Sequence, residues 1–384
     1  TVPPGSYVTA RNGLVRSDAY WEFDFAPSRE SGSVAEHGQH LAGLLTTAVE
    51  RRIPHYDDSA VLVSGGLDSS AVLALLSQAR RDATIRTFSI GFTDRALDES
   101  EYQVLAARVF QTDHSNVVCD AEEVAGALGR AIWHAESPLI RTAPSSSIRL
   151  ARSIESRGTR CVLSGEGADE LLCGYDIFKI ARIRDEWSRD PGSANWPRLL
   201  EEALRKQRGM GRTVGRAYFE QGLEQSRDPL FSHLTRWRNT FRITQYLEPT
   251  VRREVDFEGL VEGVRARLPD RYHGWSRVEQ AQYVEARYFL ASALLAAQCD
   301  RPYMAHSIEA RYPFLDEDVV DFSLALPESS KLAGLAEKAV LKAAVSGVVP
   351  REIVERTKQP YTAPEGDVFR APTGRELVAE YLSS

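Results

Sequence analysis

The chain has 384 residues, enough for two or three folding units or for one large α/β unit with a helical extension. Hydrophobic residues make up 43% and charged residues 26%, ordinary globular values that exclude a disordered chain, collagen or a coiled-coil array. With 47 basic and 54 acidic residues the net charge is −7, so no basic footprint for nonspecific nucleic-acid binding dominates.

In chain order, residues 1–34 are mixed, with a strand expected at Ser6 to Thr9, and are too few and irregular for a domain. Leu41, Leu44, Leu45, Val49 and Ile53 then repeat at helical spacing, which predicts a helix over 35–53 closed by Pro54. From Ala60 the period changes. Strands are expected at Ala60 to Ser64, Ile85 to Phe92, Ser115 to Cys119 and Arg160 to Ser164. Between them, helices are expected over 69–78, 101–110, 121–134 and 145–157. Alternating strands and helices predict an open parallel α/β sheet, with its ligand crevice beyond the carboxyl ends of the strands. After Tyr175 no strand stands out. Helices are expected at 279–297, 319–325 and 336–346, so the division reads as 1–34, an α/β core at 35–175 and a mainly α-helical part at 176–384. The two larger parts are expected to pack with the active site between them.

Two further counts bound the environment. Cys119, Cys161, Cys173 and Cys299 are scattered without a CxxC pair, against a zinc site or a disulfide framework and in favour of a reducing, cytoplasmic setting. The densest apolar stretch, Phe289 to Ala297, is far shorter than the ~20 residues of a spanning helix, and the start carries no signal-peptide pattern. Only six of the 47 basic residues are lysine, which draws attention to Lys338, Lys342 and Lys358.

Two loops carry the chemistry. In VLVSGGLDSSAV a buried strand ends at Ser64, two glycines follow, and Asp68 with two serines opens a helix. Gly65 and Gly66 let a ligand approach the backbone closely. Their amides, the Ser69 and Ser70 hydroxyls and the helix N-terminus can converge on an anion. Neither a Walker A ending nor GxGxxG is present. Asp68 would repel phosphate unless Mg²⁺ lay between them. The bland alternative is a turn with an Asp helix cap. In CVLSGEGADELLCGY a second strand end is followed by Glu166, Asp169 and Glu170. Capping explains two of these. Two carboxylate-bearing loops at strand ends favour Mg²⁺-nucleotide binding, with Asp68 and Asp169 as metal ligands.

SGGLDSS resembles the pyrophosphate loop of the ATP pyrophosphatase superfamily, whose sheet is of the Rossmann-like type. Together with LSGEGADELLCGY and SIEARYPFLD it is similar to the synthetase domain of glutamine-dependent asparagine synthetases, over roughly residues 35–370. TFSIGF, DES, TDH, AQCDRPYMAH, EKAVLKAAV and RTKQPY fit the same family in order. The resemblance implies adenylation of a carboxylate by Mg-ATP, then displacement of AMP by ammonia, with aspartate to asparagine as the leading reaction and a specialised-metabolite or peptide carboxylate as the alternative. It implies that Val63, Ser64, Gly65, Gly66, Leu67, Asp68, Ser69 and Ser70, with Ser164 and Gly165, hold ATP, and that the Ile90 backbone meets adenine. It places Glu166 beside the adenylate, handling the ammonia proton, and Lys358 at the phosphorus under attack, with Lys338 competing for that role. β-Lactam-forming synthetases replace this glutamate with tyrosine, so Glu166 favours ammonia as acceptor. Arg311 either binds a substrate carboxylate or makes a structural ion pair, within an ARYPFLD segment read as a turn. VPPG and the later YW resemble the end of a glutaminase domain. The ammonia is therefore expected from solution, from a separate glutaminase chain or from a domain outside this span, and a homo-oligomer is compatible with the sequence.

Overall fold

The computed structural model describes residues 2–25, 30–53, 59–206, 212–359 and 361–382. The expected helix closure at Pro54 falls outside them. The chain opens with an antiparallel hairpin, β1 (Ser6–Arg11) and β2 (Leu14–Ala19), whose register pairs Ser6 with Ala19. Only its first strand was expected from sequence. Helix α1 (Val34–Arg52) follows. Its N-terminus is fixed by a capping box, in which Glu36 N–H donates to Ser33 Oγ and Ser33 N–H donates to the Glu36 carboxylate.

Four strands then alternate with helices as expected. They are β3 (Ser59–Leu62), β4 (Arg86–Phe92), β5 (Asp113–Cys119) and β6 (Cys161–Leu163). The helices are α2 (Leu67–Ala79), α3 (Ser100–Val109), α4 (Ala121–Ala135), α5 (Ala143–Ser156) and the short α6 (Ala168–Leu171). Ser69 to Leu76 of α2 are buried without a break. A helix covered all round carries no polar face, and the unbroken apolar run Ala71 to Leu76 meets that demand beyond the two serines of the loop.

The sheet has a fifth strand, β7 (Glu309–Arg311), and the order is β5-β4-β3-β6-β7, all parallel. This corrects the expectation that no strand follows Tyr175 and that ARYPFLD is only a turn. Three residues are too short a run for a period of two to stand out. Pairing with β6, Cys161 against Glu309 and Leu163 against Arg311, makes them a strand. From β3 the chain adds β4 and β5 on one side and later β6 and β7 on the other. The order therefore reverses between β3 and β6, and an open α/β sheet has its crevice at that switch point.

The remaining described residues are mainly helical. The expected helix over 279–297 is part of a longer one. It is α-helical at Arg277–Val284, widens to π-type hydrogen bonding over Glu285–Asp300, and returns to α at Arg301–Met304. The helix expected from Ala336 starts at Ala339, because Leu332–Ala333 and Ala336–Glu337 form a small hairpin ahead of it. The largest core cluster joins α1, α2 and the sheet to this half through Leu41, Leu73, Val61, Phe314 and Val340. All four cysteines are buried, and none is in a disulfide. Among the described residues no helix is long and apolar enough to cross a membrane.

Asp316 closes the back of this assembly. Its carboxylate meets Arg52 at 2.5 Å and Arg51 at 3.0 Å, and it caps helix Glu317–Ala325 through Asp318 N–H. Burial opposes its charge, yet Arg52 and Arg51 hold its carboxyl below the usual carboxylate range. Asp316→Ala is expected to lower stability by about 2–3 kcal/mol at neutral pH, measured by urea unfolding. A depressed pKa contributes stability that is present above the unfolded value near ~4 and lost as pH falls through the folded one. The variant should therefore approach the wild type below pH ~4. A difference that persists unchanged into acid would remove this ion pair from the account.

Candidate functional site

The two strand-end loops meet at the switch point. Val63 N–H donates to Phe88 O at 2.8 Å, which carries β3 one residue further before the chain turns. Ser64 and Ser69 then lace the turn together. Ser64 N–H donates to Ser69 Oγ at 3.2 Å, the two hydroxyl oxygens lie 3.1 Å apart, and Gly66 N–H donates to Ser64 Oγ at 3.3 Å. No side chain caps α2, whose N-cap is Gly66. Its first amides are therefore available to an anion. The second loop is pressed against the first. A Cβ on Gly165 would stand 2.8 Å from Asp68 Cβ and 2.9 Å from Ser69 N, so any larger residue would drive the loops apart. Ser164 is buried, and its N–H is held by Arg311 O of β7 at 2.9 Å.

This contact brings Asp68 and Asp169 to opposite sides of one ammonium group. Lys338 Nζ lies 2.6 Å from an Asp68 oxygen and 2.6 Å from Asp169 Oδ1. Lys358 Nζ approaches the other Asp169 oxygen at 2.6 Å and lies 5.8 Å from the centre of the Tyr175 ring. Both lysines that competed for one role thus reach the same carboxylate. They differ in freedom: the Lys338 side chain is 3% exposed and shared between two acids, whereas Lys358 is 28% exposed and pairs with Asp169. Burial alone would raise the Asp169 carboxyl, but Lys338 and Lys358 overcome it and hold it at about 2. Burial likewise works against the Lys358 ammonium, and Asp169 and Asp68 push its pKa above the usual lysine range.

The other two acids of the second loop part company. Glu166 feels the charges of the cluster. Burial first, then the negative charge of Asp169, push its carboxyl up to about 7, with Lys358 pulling the other way. Glu170 is fully buried and turns away, accepting from Tyr175 OH at 2.8 Å, and burial raises it to about 8. Three carboxylates within five residues therefore have three environments: two ammonium groups hold Asp169 low, while burial pushes Glu166 up and Glu170 further up.

Ile90 lies on β4, and its carbonyl accepts from Gln103 Nε2 at 2.8 Å. Val63 and Ser70 are almost wholly buried, so Val63 can offer a ligand only backbone. Arg311 makes an ion pair in this structure. Its guanidinium pairs with Glu309 at 2.9 Å and donates to Arg52 O at the end of α1. Sequence reasoning passed over Arg356 and Tyr175. Tyr175 closes the LSGEGADELLCGY segment, and Arg356 stands two residues before Lys358, so only their neighbours marked them.

Among the described residues no group of three or more His, Cys, Asp or Glu side chains could hold a metal. Mg²⁺ needs fewer, because it binds one or two carboxylates and completes its shell with phosphate oxygens and water. Asp68 and Asp169 fit that pattern, since a cationic group already stands between them. Asp169 Oδ1 is buried and makes no hydrogen bond of good geometry, despite the nearby Lys338 ammonium.

Comparison with known proteins gives a consistent result. The asparagine synthase family model matches residues 40–384. "Amidase chyE" of Penicillium rubens is 26% identical over 396 residues, covering 94% of this chain and 58% of that protein. "Asparagine synthetase [glutamine-hydrolyzing] 1" of Bacillus subtilis is 25% identical over 369 residues, covering 94% of this chain and 55% of that protein. "Amidase chry2" of Gibberella zeae is 23% identical, with coverages of 94% and 58%. The chain spans about half the length of the curated relatives it matches.

The raised Glu166 pKa has a measurable sign. The folded carboxyl titrates near 7 against an ordinary 4.5, so ionising it costs stability as pH rises through that window. Glu166→Gln should match the wild type below pH ~4.5 and be more stable by about 1–3 kcal/mol at pH ~8, with nucleotide and divalent cations removed. Denaturant unfolding at the two pH values reads this directly. A stability difference independent of pH would mean that Glu166 is not held neutral.

Proposed function

Because this chain belongs to the asparagine synthase family, we propose that it is an ATP-dependent ligase that adenylates a carboxylate and transfers the acyl group to ammonia, releasing AMP and pyrophosphate. The observation that carries this reading is the convergence of Asp68 and Asp169, from loops at neighbouring strand ends, on the paired ammonium groups of Lys338 and Lys358. Such an arrangement suits a phosphate chain with a divalent cation. Asp68 and Asp169 would hold Mg²⁺, whose charge would screen the leaving pyrophosphate.

The chain's own groups divide the remaining work. In this reading Ser64 to Ser70 cradle the β- and γ-phosphates with backbone amides and hydroxyls, at the uncapped start of α2. Ser164 and Gly165 flank the α-phosphate, and the Ile90 main chain lies at the adenine edge. Lys358, the more exposed lysine, swings from Asp169 to the α-phosphorus, where negative charge grows as the carboxylate attacks. Lys338 stays with the two aspartates. Glu166, poised near neutral pH, takes the proton that ammonia loses as it attacks the acyl-adenylate.

Aspartate is the leading carboxylate, with asparagine as product. The two relatives named amidases favour a second reading, the same chemistry on another carboxylate. The helical half, with residues 35–175, would supply the substrate walls. Ammonia would come from solution or from a glutaminase domain or chain.

The first test incubates the protein with Mg-ATP, aspartate and ammonium at mildly alkaline pH and follows AMP, pyrophosphate and asparagine together. Asparagine formed in step with AMP is expected. AMP and pyrophosphate with other acids but not aspartate would transfer the reaction to another carboxylate. Asp68→Ala is expected to lower pyrophosphate release by at least about 10²-fold, the scale for losing one electrostatic group at such a centre. Full activity in that variant would take Asp68 out of the site.

A further inference from the structure

Arg356 touches both sides of the nucleotide site without reaching its centre. One guanidinium nitrogen donates to Gly65 O at 3.0 Å. Another pairs with Glu99, and the guanidinium carbon lies 4.0 Å from the centre of the Tyr102 ring. Only 14% of the side chain is exposed. An arginine fork held by a carboxylate, a carbonyl and an aromatic face has little freedom left.

Each contact has a consequence for the site. A trans peptide is planar, so its C=O and the following N–H point in opposite directions. Arg356 holds the Gly65 carbonyl outward, and Gly66 N–H therefore points the other way, where Ser64 Oγ accepts it at 3.3 Å. Gly65 has φ +77°, a region in which glycine moves at little cost. Without an external hold this peptide would turn over easily, replacing an amide donor in the cradle with a carbonyl that repels phosphate. Helix α3 braces the same spot, since a Cβ on Gly65 would lie 2.8 Å from Tyr102 Cβ. The second consequence is downstream. Lys358 follows two residues later, in a stretch with no regular structure of its own. Two residues span at most about 7 Å, so an anchored Arg356 confines the start of the Lys358 side chain.

We propose that Arg356 is a positioning residue that couples the nucleotide loop to Lys358: one guanidinium sets the direction of the Gly65–Gly66 peptide and the place from which Lys358 reaches the phosphates. Glu99 and Tyr102 serve it by fixing the guanidinium plane. The proposal rests on the nucleotide-binding reading given above.

The test is a double-mutant cycle on ligand affinity, measured by calorimetry on the full chain, so that it needs no knowledge of the carboxylate. The probes are Mg-ATP, Mg-pyrophosphate and AMP. Arg356→Ala is expected to weaken Mg-pyrophosphate and Mg-ATP about tenfold and AMP no more than about threefold, because the Gly65–Gly66 cradle serves the β- and γ-phosphates, which AMP lacks, and only the Lys358 share of the effect reaches the α-phosphate. Arg356→Lys, which keeps the charge but not the fork, should fall between. In a Lys358→Ala background the Arg356 substitution should cost less than it does alone, since part of its effect is spent through Lys358. Should Arg356→Ala fail to fold, as judged by its thermal midpoint, the cycle is run with Arg356→Lys. Parallel losses for AMP and pyrophosphate, or single effects that simply multiply, would overturn the coupling. Failure of the wild type to bind Mg-ATP would instead sink the nucleotide reading beneath it.

Discussion

The molecule is organised around four buried or half-buried charges in alternation: Asp68, Lys338, Asp169 and Lys358. In a medium of low dielectric an unpaired charge is costly, and a pair is tolerated only with close geometry. Here each charge has an opposite neighbour at 2.6 Å. The four come from the start of α2, from α6, from the turn before helix Ala339–Ala344 and from the segment after Val354. No local stretch of chain can assemble them. The electrostatic balance is therefore met only when the sheet, the helical half and the C-terminal segment are all in place.

That requirement explains why the backbone at the switch point is so spare. The loops after β3 and β6 must approach until Gly165 touches the main chain at Asp68 and Ser69. Their closeness then forces the acids of the second loop into different surroundings within a few residues. Asp169 meets two ammonium groups, Glu166 feels charges of both signs and Glu170 accepts from a tyrosine hydroxyl in the interior. Distinct protonation behaviour arises from position alone, with one type of functional group.

The features legible in the sequence were those written in consecutive residues. Strand, glycine pair and Asp-Ser-Ser of β3–α2 carry their own geometry, and so does the Gly-Glu-Gly-Ala-Asp-Glu run after β6. The α/β alternation followed for the same reason. What stayed hidden depends on distant partners. β7 is three residues long and becomes a strand by pairing with β6. The partners of Arg311, Glu309 and the end of α1, lie on elements whose meeting no local pattern announces. The hairpin ahead of Ala339 and the wide turn of Glu285–Asp300 are likewise tertiary outcomes. Arg356 carried no spacing that sets it apart from the other arginines of this arginine-rich chain.

Lys338 adopts a left-handed backbone conformation, φ +52°, at the N-cap of helix Ala339–Ala344. For a residue with a Cβ this costs about 1–2 kcal/mol, and glycine or asparagine would occupy the position more comfortably. The chain accepts that strain at the residue whose ammonium separates two carboxylates. Drift toward the residue preferred by the backbone would relax the turn and at once set Asp68 against Asp169. Conformational ease and charge balance thus oppose each other at a single codon, and substitutions here cannot be ranked by helix or turn preference alone.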